Sequence, residues 1–224
     1  MSLISENLPR VREQIASAAV RSGRRAEDVT LVAVTKTRGV EEIREAIACG
    51  VTDIGENYAQ EAEIKYGEIA DAARWHMIGH LQRNKARGAV EVFGVIHSID
   101  SERLAQEVGR RAEAIGRTVD CLVEVRISGE AAKSGVEPEE VLVLAERISD
   151  VSGIRVRGLM GMAPFVADPE ETRPYFAKLK QLWDKLPSEQ RLYLSMGMTQ
   201  DYEVAIEEGA NMVRIGTAVF GPRA

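Results

Sequence analysis

Short runs of aliphatic and β-branched residues alternate with amphipathic stretches from one end of the chain to the other. Apolar runs of about four to eight residues, bounded by turn-forming residues, are typical of buried strands. The pattern predicts eight strands, at 31–35, 52–55, 75–78, 94–99, 120–127, 154–160, 191–195 and 211–215.

The stretches between these strands carry apolar residues at helical spacing. Val40, Ile43 and Ile47 lie on one face of such a helix, and Gly50 follows where a helix commonly ends in a left-handed residue. One more amphipathic stretch precedes the first strand and ends near Gly23. We therefore expect a helix after each strand and an extra helix at the N-terminus.

Strict alternation of strands and helices predicts a parallel sheet in an α/β protein. We expect a single-domain (β/α)₈ TIM barrel over residues 1–224, although about 250 residues is the more usual length. The alternative is an open, doubly wound sheet. A Rossmann sheet would carry G-x-G-x-x-G after its first strand, and here that stretch reads AVTKTRG.

Composition narrows the class of protein. Hydrophobic residues make up 45% and charged residues 29% of the chain, which is typical of a globular domain and excludes disordered or fibrous proteins. There is no apolar run long enough for a membrane span and no signal peptide, and two cysteines cannot form a disulfide framework. We expect a cytoplasmic protein. The net charge of −6 argues against nucleic-acid binding.

Lys36 ends the first apolar strand, where catalytic and binding residues of a barrel collect. Partial burial there would lower the pKa of its amine and favour Schiff-base chemistry. The alternative is a lysine whose stem packs while its ammonium reaches water. The sequence alone leaves the two interpretations level.

The last two strands are followed by loops that combine glycines with hydroxyls, and barrels often bind phosphate there. Ser195 precedes Gly197, and Gly216 precedes Thr217. These loops favour phosphate binding over plain turns. Arg214 alternates with apolar neighbours and is expected to face the barrel interior, where its partner is either an acidic core residue or, as we favour, a ligand atom.

A metal site is not expected. His76, His80 and His97 occur without the close ligand pairs that zinc sites use, and no C-x-x-C or H-E-x-x-H motif is present. We interpret the histidines as core or loop residues.

Six segments together resemble a known family, the pyridoxal phosphate homeostasis proteins, also called the YggS/PROSC group. They are LVAVTKT (31–37), IGENYAQE (54–61), WHMIGHLQRNK (75–85), GLMGM (158–162), LSMGMT (194–199) and MVRIGTAVFG (212–221). Their order and number make the resemblance specific, and it spans nearly the whole chain.

The resemblance implies a barrel similar to the N-terminal domain of alanine racemase, with pyridoxal 5′-phosphate held as an aldimine. In this resemblance Lys36 is the aldimine lysine, Asn57 lies near the ring and Arg214 faces the pyridine nitrogen. The implied phosphate-binding residues are Ser195, Gly216 and Thr217. The loop at 132–135 also resembles a family loop whose lysine, here Lys133, has been suggested to contact a second cofactor molecule. We do not include Lys133 in the site.

The family implies a carrier or regulator in vitamin B6 homeostasis, and we expect no catalysis. The alternatives are a pyridoxal phosphate-dependent racemase-like enzyme and a phosphate-binding barrel without this cofactor. The sequence stops at Ala224, without the second domain of barrel racemases, and an arginine at the pyridine nitrogen weakens carbanion stabilisation. We expect a monomer with apo pyridoxal phosphate enzymes as candidate partners and with no nucleic-acid or membrane partner.

Overall fold

In the computed structural model, which describes residues 2–129 and 134–222, eight parallel strands form a closed barrel in sequence order. The strands are β1 (Thr30–Val34), β2 (Asp53–Glu56), β3 (Arg74–Met77), β4 (Val95–Ile99), β5 (Val119–Val125), β6 (Ile154–Gly161), β7 (Tyr193–Ser195) and β8 (Met212–Ile215). The predicted (β/α)₈ barrel is confirmed, and the open sheet is excluded.

Helices connect the strands and surround the barrel. They are α1 (Leu3–Arg21), α2 (Val40–Ala48), α3 (Ala59–Ile69), α4 (Ala86–Val92), α5 (Glu102–Ala114), α6 (Val141–Arg147), α7 (Arg173–Trp183), α8 (Tyr202–Glu207) and α9 (Thr217–Phe220). The additional N-terminal helix is α1, which packs on α8 and α9. Within the described ranges, no helix has the length and apolarity needed to cross a bilayer.

The barrel closes where β1 pairs with β8. Val32 lies opposite Arg214, and Ala33 lies opposite Ile215. Because all strands are parallel, their carboxyl ends meet at one rim of the barrel. The residues that follow β1 and β8 are therefore neighbours at that rim.

Apolar packing occurs in two places. The larger cluster lies between the strands and the helices. A smaller buried cluster, Val95, Leu122 and Met160, lies inside the barrel, since Val95 shares a strand face with the buried His97. Gly158 has a φ of +152°, and a Cβ there would lie 1.7 Å from the carbonyl oxygen of Tyr193, so this part of β6 requires glycine.

Two predicted strand ends are wrong by two residues. The fifth strand ends at Val125 rather than at 127, because the chain turns there and the Arg126 N–H bonds to the Val136 carbonyl. The seventh strand begins at Tyr193 rather than at 191, because a 3₁₀ turn occupies Ser188–Gln190 just before it. In both places strand-forming residues lie in or beside a turn, and the apolar pattern alone does not predict that turn.

Candidate functional site

A cavity of about 460 Å³ opens at the carboxyl rim of the barrel, next to the closure of β1 on β8. It is lined by Val34 on β1, by Arg214 on β8 and by residues that follow β1, β6, β7 and β8. These are Val34, Lys36, Arg38, Met162, Ala163, Pro164, Phe165, Val166, Pro169, Thr172, Met198, Thr199, Gln200, Asp201, Arg214, Gly216 and Thr217. The cavity thus lies at the carboxyl ends of the strands, where the sequence predicted the functional residues of the barrel.

Four of the six predicted site residues share this cavity. Lys36 enters it half-buried from the end of β1, Arg214 from β8, and Gly216 and Thr217 from the turn after β8. Barrel closure brings these segments together although they are about 180 residues apart in the chain. The Lys36 amine, the Arg214 guanidinium and the Gly216–Thr217 turn therefore border a single space.

Thr199 is a cavity residue that the sequence analysis missed. It follows a tight turn at Gly197, whose φ is +90° and where a Cβ would lie 2.6 Å from the Cβ of Ala205. The turn is fixed by bonds from the Arg214 N–H to the Gly197 carbonyl at 3.0 Å and from the Met198 N–H to Asp201 Oδ1 at 2.6 Å. Thr199 lies within the segment 194–199 but was not among the predicted site residues, and the signal that could have identified it is its position two residues after Gly197, in the loop that follows β7.

Arg214 faces the barrel interior, as predicted, and is only 3% exposed. Its Nη1 donates to Ser195 Oγ at 2.6 Å and its Nη2 donates to the Gly161 carbonyl at 3.1 Å. Its protein partners are thus a hydroxyl and a carbonyl rather than the acidic core residue considered from the sequence, and the favoured ligand contact stays a prediction. Burial lowers the pKa of Arg214 to about 10, so the guanidinium stays charged at neutral pH.

A chain of hydrogen bonds continues from Ser195 through the barrel interior. His97 Nδ1 lies 3.0 Å from Ser195 Oγ, and His97 Nε2 lies 3.0 Å from His76 Nδ1. His76 Nε2 lies 2.9 Å from Asp53 Oδ1. The chain thus joins a charged arginine on β8 to a carboxylate on β2 through two fully buried imidazoles.

The charges at the two ends decide where the protons lie. Burial lowers the pKa of both histidines, so each ring is neutral and carries one N–H. Burial alone would raise the pKa of Asp53, but hydrogen bonds from His76 and Thr52 hold it below its usual value. Because a carboxylate only accepts, the His76 proton is on Nε2 and His97 donates from its own Nε2. Ser195 then donates to His97 Nδ1.

Ser195 and Asn57 are the two predicted site residues that lie outside the cavity lining. Ser195 is fully buried, and its hydroxyl takes part in the chain just described. Asn57 follows β2, and its Oδ1 is buried without a hydrogen-bond partner among the described residues. Its backbone is approached closely by Gly79, where a Cβ would lie 2.4 Å from the Asn57 carbonyl oxygen. Lys133 lies outside the described residues.

Comparison with known proteins identifies the family. A family model described as the alanine racemase N-terminal domain matches residues 7–224. The pyridoxal phosphate homeostasis protein of Aquifex aeolicus is 44% identical over 222 residues, covering 97% of each chain. The chain belongs to the pyridoxal phosphate homeostasis protein family. The resemblance inferred from the six sequence segments is therefore confirmed.

Solved structures agree with this family assignment. PipY of Synechococcus elongatus PCC7942, solved with pyridoxal phosphate bound, is 36% identical and superimposes with a TM-score of 0.84, covering 97% of this chain and all of that one. D-threonine aldolase from Filomicrobium marinum superimposes with a TM-score of 0.78 at 18% identity, and this chain covers 59% of it. The homeostasis family thus shares its barrel with larger enzymes, a likeness that concerns the fold alone.

The two buried histidines make stability depend on pH. The folded state keeps both rings neutral, whereas in the unfolded chain they protonate below about pH 6.5. At these two residues the unfolded state therefore binds more protons, and their contribution to the free energy of unfolding should fall by about 2 kcal/mol between pH 7 and pH 5.5. Urea titrations across this range measure it.

His97→Gln should remove at least a third of this pH dependence. A slope between pH 7 and pH 5.5 that is equal in wild type and His97→Gln would contradict the proton assignment.

Proposed function

We propose that this protein binds pyridoxal 5′-phosphate reversibly in the rim cavity and takes part in vitamin B6 homeostasis as a carrier or regulator. The observation that carries the proposal is one cavity shared by Lys36, Arg214 and the Gly216–Thr217 turn. Family membership supports it, because relatives are named for pyridoxal phosphate homeostasis and PipY was solved with this cofactor. Bound pyridoxal phosphate supplies an electrophilic aldehyde attached to an electron-withdrawing ring.

The cavity suits the cofactor in size and chemistry. A volume of about 460 Å³ lies within the range of roughly 300–1,000 Å³ typical of small-molecule sites. Apolar walls from Val34, Met162 and Phe165 match the faces of a pyridine ring, and Phe165 is 83% exposed at the rim. Lys36 would hold the cofactor through its amine, which would condense with the aldehyde carbon and release one water, and hydrolysis would return both.

We assign the phosphate to the loops after β7 and β8. Thr199 and Thr217 offer hydroxyl donors to the cavity, and Gly216 allows the backbone to approach an anion closely. Ser195, whose hydroxyl donates to His97, supports Arg214 in this assignment and does not bind phosphate directly. Asn57 remains a candidate ring contact, because its buried Oδ1 is an acceptor that a ligand donor could satisfy.

Arg214 limits the chemistry that the bound ring could support. A guanidinium has five N–H groups, and the bonds to Ser195 and Gly161 use two of them, which leaves donors for a ring nitrogen. Since Arg214 is charged at neutral pH, it donates to that nitrogen and does not help it hold a proton. An unprotonated ring stabilises a carbanion less well, so we propose binding without turnover.

A racemase-like enzyme is the second candidate, and the shared barrel is what favours it. We place the carrier first because relatives that are 44% and 42% identical to this chain bear the homeostasis name. In this proposal the protein is a cytoplasmic monomer, and apo pyridoxal phosphate enzymes are the partners that receive the cofactor.

Borohydride trapping tests the covalent contact. Reduction of the loaded protein should fix the cofactor to the peptide that contains Lys36, and Lys36→Ala should lose the adduct. Mass spectrometry reads the modified residue, and the other lysines in the same digest are the internal control. An adduct on another lysine, or none at all, would overturn the assignment.

The phosphate assignment predicts a difference between two ligands. Thr199→Val with Thr217→Val should weaken pyridoxal phosphate binding by about 3 kcal/mol, taking roughly 1.5–3 kcal/mol for each hydrogen bond to a charged group. Binding of pyridoxal, which lacks the phosphate, should change little. Isothermal titration measures both affinities.

Two further variants control for indirect effects on the cavity. Thr172→Val alters a lining hydroxyl that is already bound to the Pro169 carbonyl, and it should preserve the preference for the phosphorylated ligand. Ser195→Ala should weaken both ligands equally if it acts through Arg214. Equal loss of both ligands in the double threonine variant would show that these loops do not bind phosphate.

A further inference from the structure

A second, buried lysine lies directly behind the turn that carries Lys36. Lys65 is on α3, its side chain is 8% exposed, and it faces the outer side of the barrel wall. Its ammonium donates to the Thr35 carbonyl, to Glu56 Oε1 and to Glu61 Oε1, each at 2.7 Å. These three acceptors match the three N–H groups of an ammonium.

The same acceptors reach both neighbours of Lys36. Glu56 Oε1 also accepts from the Thr35 hydroxyl at 2.6 Å. Glu61 Oε1 also accepts from the backbone N–H of Thr37 at 2.6 Å. Lys65 thus bonds to two carboxylates, and these carboxylates accept hydrogen bonds from the residues immediately before and immediately after Lys36.

The turn needs these hydrogen bonds because the backbone of Thr37 is strained. Its φ is +63°, a left-handed conformation that a β-branched residue rarely adopts. Backbone of this kind persists only where the surroundings hold it, and it clusters at ligand sites. The bond from Thr37 to Glu61 supplies that constraint here, and Lys65 holds the Glu61 carboxylate in place.

Alternation along β1 explains why the two lysines differ. Val34 faces the cavity, so Thr35 faces the helix layer and Lys36 returns to the cavity side. Lys65 and its acceptors therefore lie behind the wall, and its saturated ammonium is not available to an aldehyde. Lys65 therefore has a structural role and is not the reactive lysine, although it is buried close to the site.

We propose that Lys65, together with Glu56 and Glu61, is a positioning residue that holds the 35–37 turn so that Lys36 points into the cofactor cavity. This inference rests on the proposed function, since the cofactor is what Lys36 is presented to. It predicts that loss of Lys65 weakens the covalent contact and leaves the other ligand contacts intact.

Two cofactor forms separate these contacts. Pyridoxine 5′-phosphate keeps the ring and the phosphate but carries an alcohol in place of the aldehyde, so it cannot bond to an amine. Lys65→Met should lower the affinity for pyridoxal phosphate about tenfold or more, and should change that for pyridoxine phosphate less than about twofold. Lys178→Met, which removes an exposed lysine from α7, is the matched control and should change neither affinity.

A pair of variants at Glu61 tests the same turn with less disturbance, since its side chain is 26% exposed. Glu61→Gln keeps an oxygen for the Thr37 N–H and should retain most of the pyridoxal phosphate affinity. Glu61→Ala removes that oxygen and should lose affinity as Lys65→Met does. If Lys65→Met does not fold, the comparison of Glu61→Gln with Glu61→Ala tests the positioning role instead.

A final readout is independent of the cofactor. Reductive methylation of the apoprotein, followed by mass spectrometry, should label Lys36 faster in Lys65→Met than in wild type. Equal loss of both phosphate ligands, or unchanged affinity together with unchanged labelling, would overturn the positioning role. A wild-type protein that binds neither ligand would instead contradict the proposed function, and the labelling result would still test the role of Lys65.

Discussion

The pairing of β1 with β8 is the contact on which the candidate site depends. It sets Val32 opposite Arg214 and brings the turn after β1, with Lys36, beside the turn after β8, with Gly216. These segments belong to opposite ends of the sequence, so only closure of the sheet makes them neighbours. An open sheet with the same strands would separate the amine from the groups that we assign to the phosphate.

Polar groups on the two sides of the strands then hold the turns after β1 and β8 in place once the barrel is closed. Inside the barrel, the chain from Asp53 to Arg214 satisfies two buried histidines and holds a charged guanidinium at the cavity floor. Outside the barrel wall, Lys65 holds the turn that carries Lys36. Most members of both clusters are buried, and buried polar groups are costly unless they are bonded, so the hydrogen bonds within each cluster favour one geometry over others.

Much of this arrangement could be predicted from the sequence. Apolar periodicity predicted all eight strands, because the core of a parallel barrel demands it, and strand ends pointed to Lys36 and Arg214. The roles of individual hydroxyls could not be predicted. Ser195 and Thr199 both look like loop hydroxyls in the sequence, and only three-dimensional neighbours reveal that one is bonded to buried His97 while the other lines the cavity.

We propose that this site holds pyridoxal phosphate without using it for catalysis. The most direct test is to incubate the loaded protein with L-alanine in deuterated water and to follow exchange of the Cα proton by NMR. We expect exchange no faster than with the same concentration of free pyridoxal phosphate. Exchange at ordinary enzymatic rates, roughly 1 per second or faster, would contradict it and favour a racemase-like enzyme.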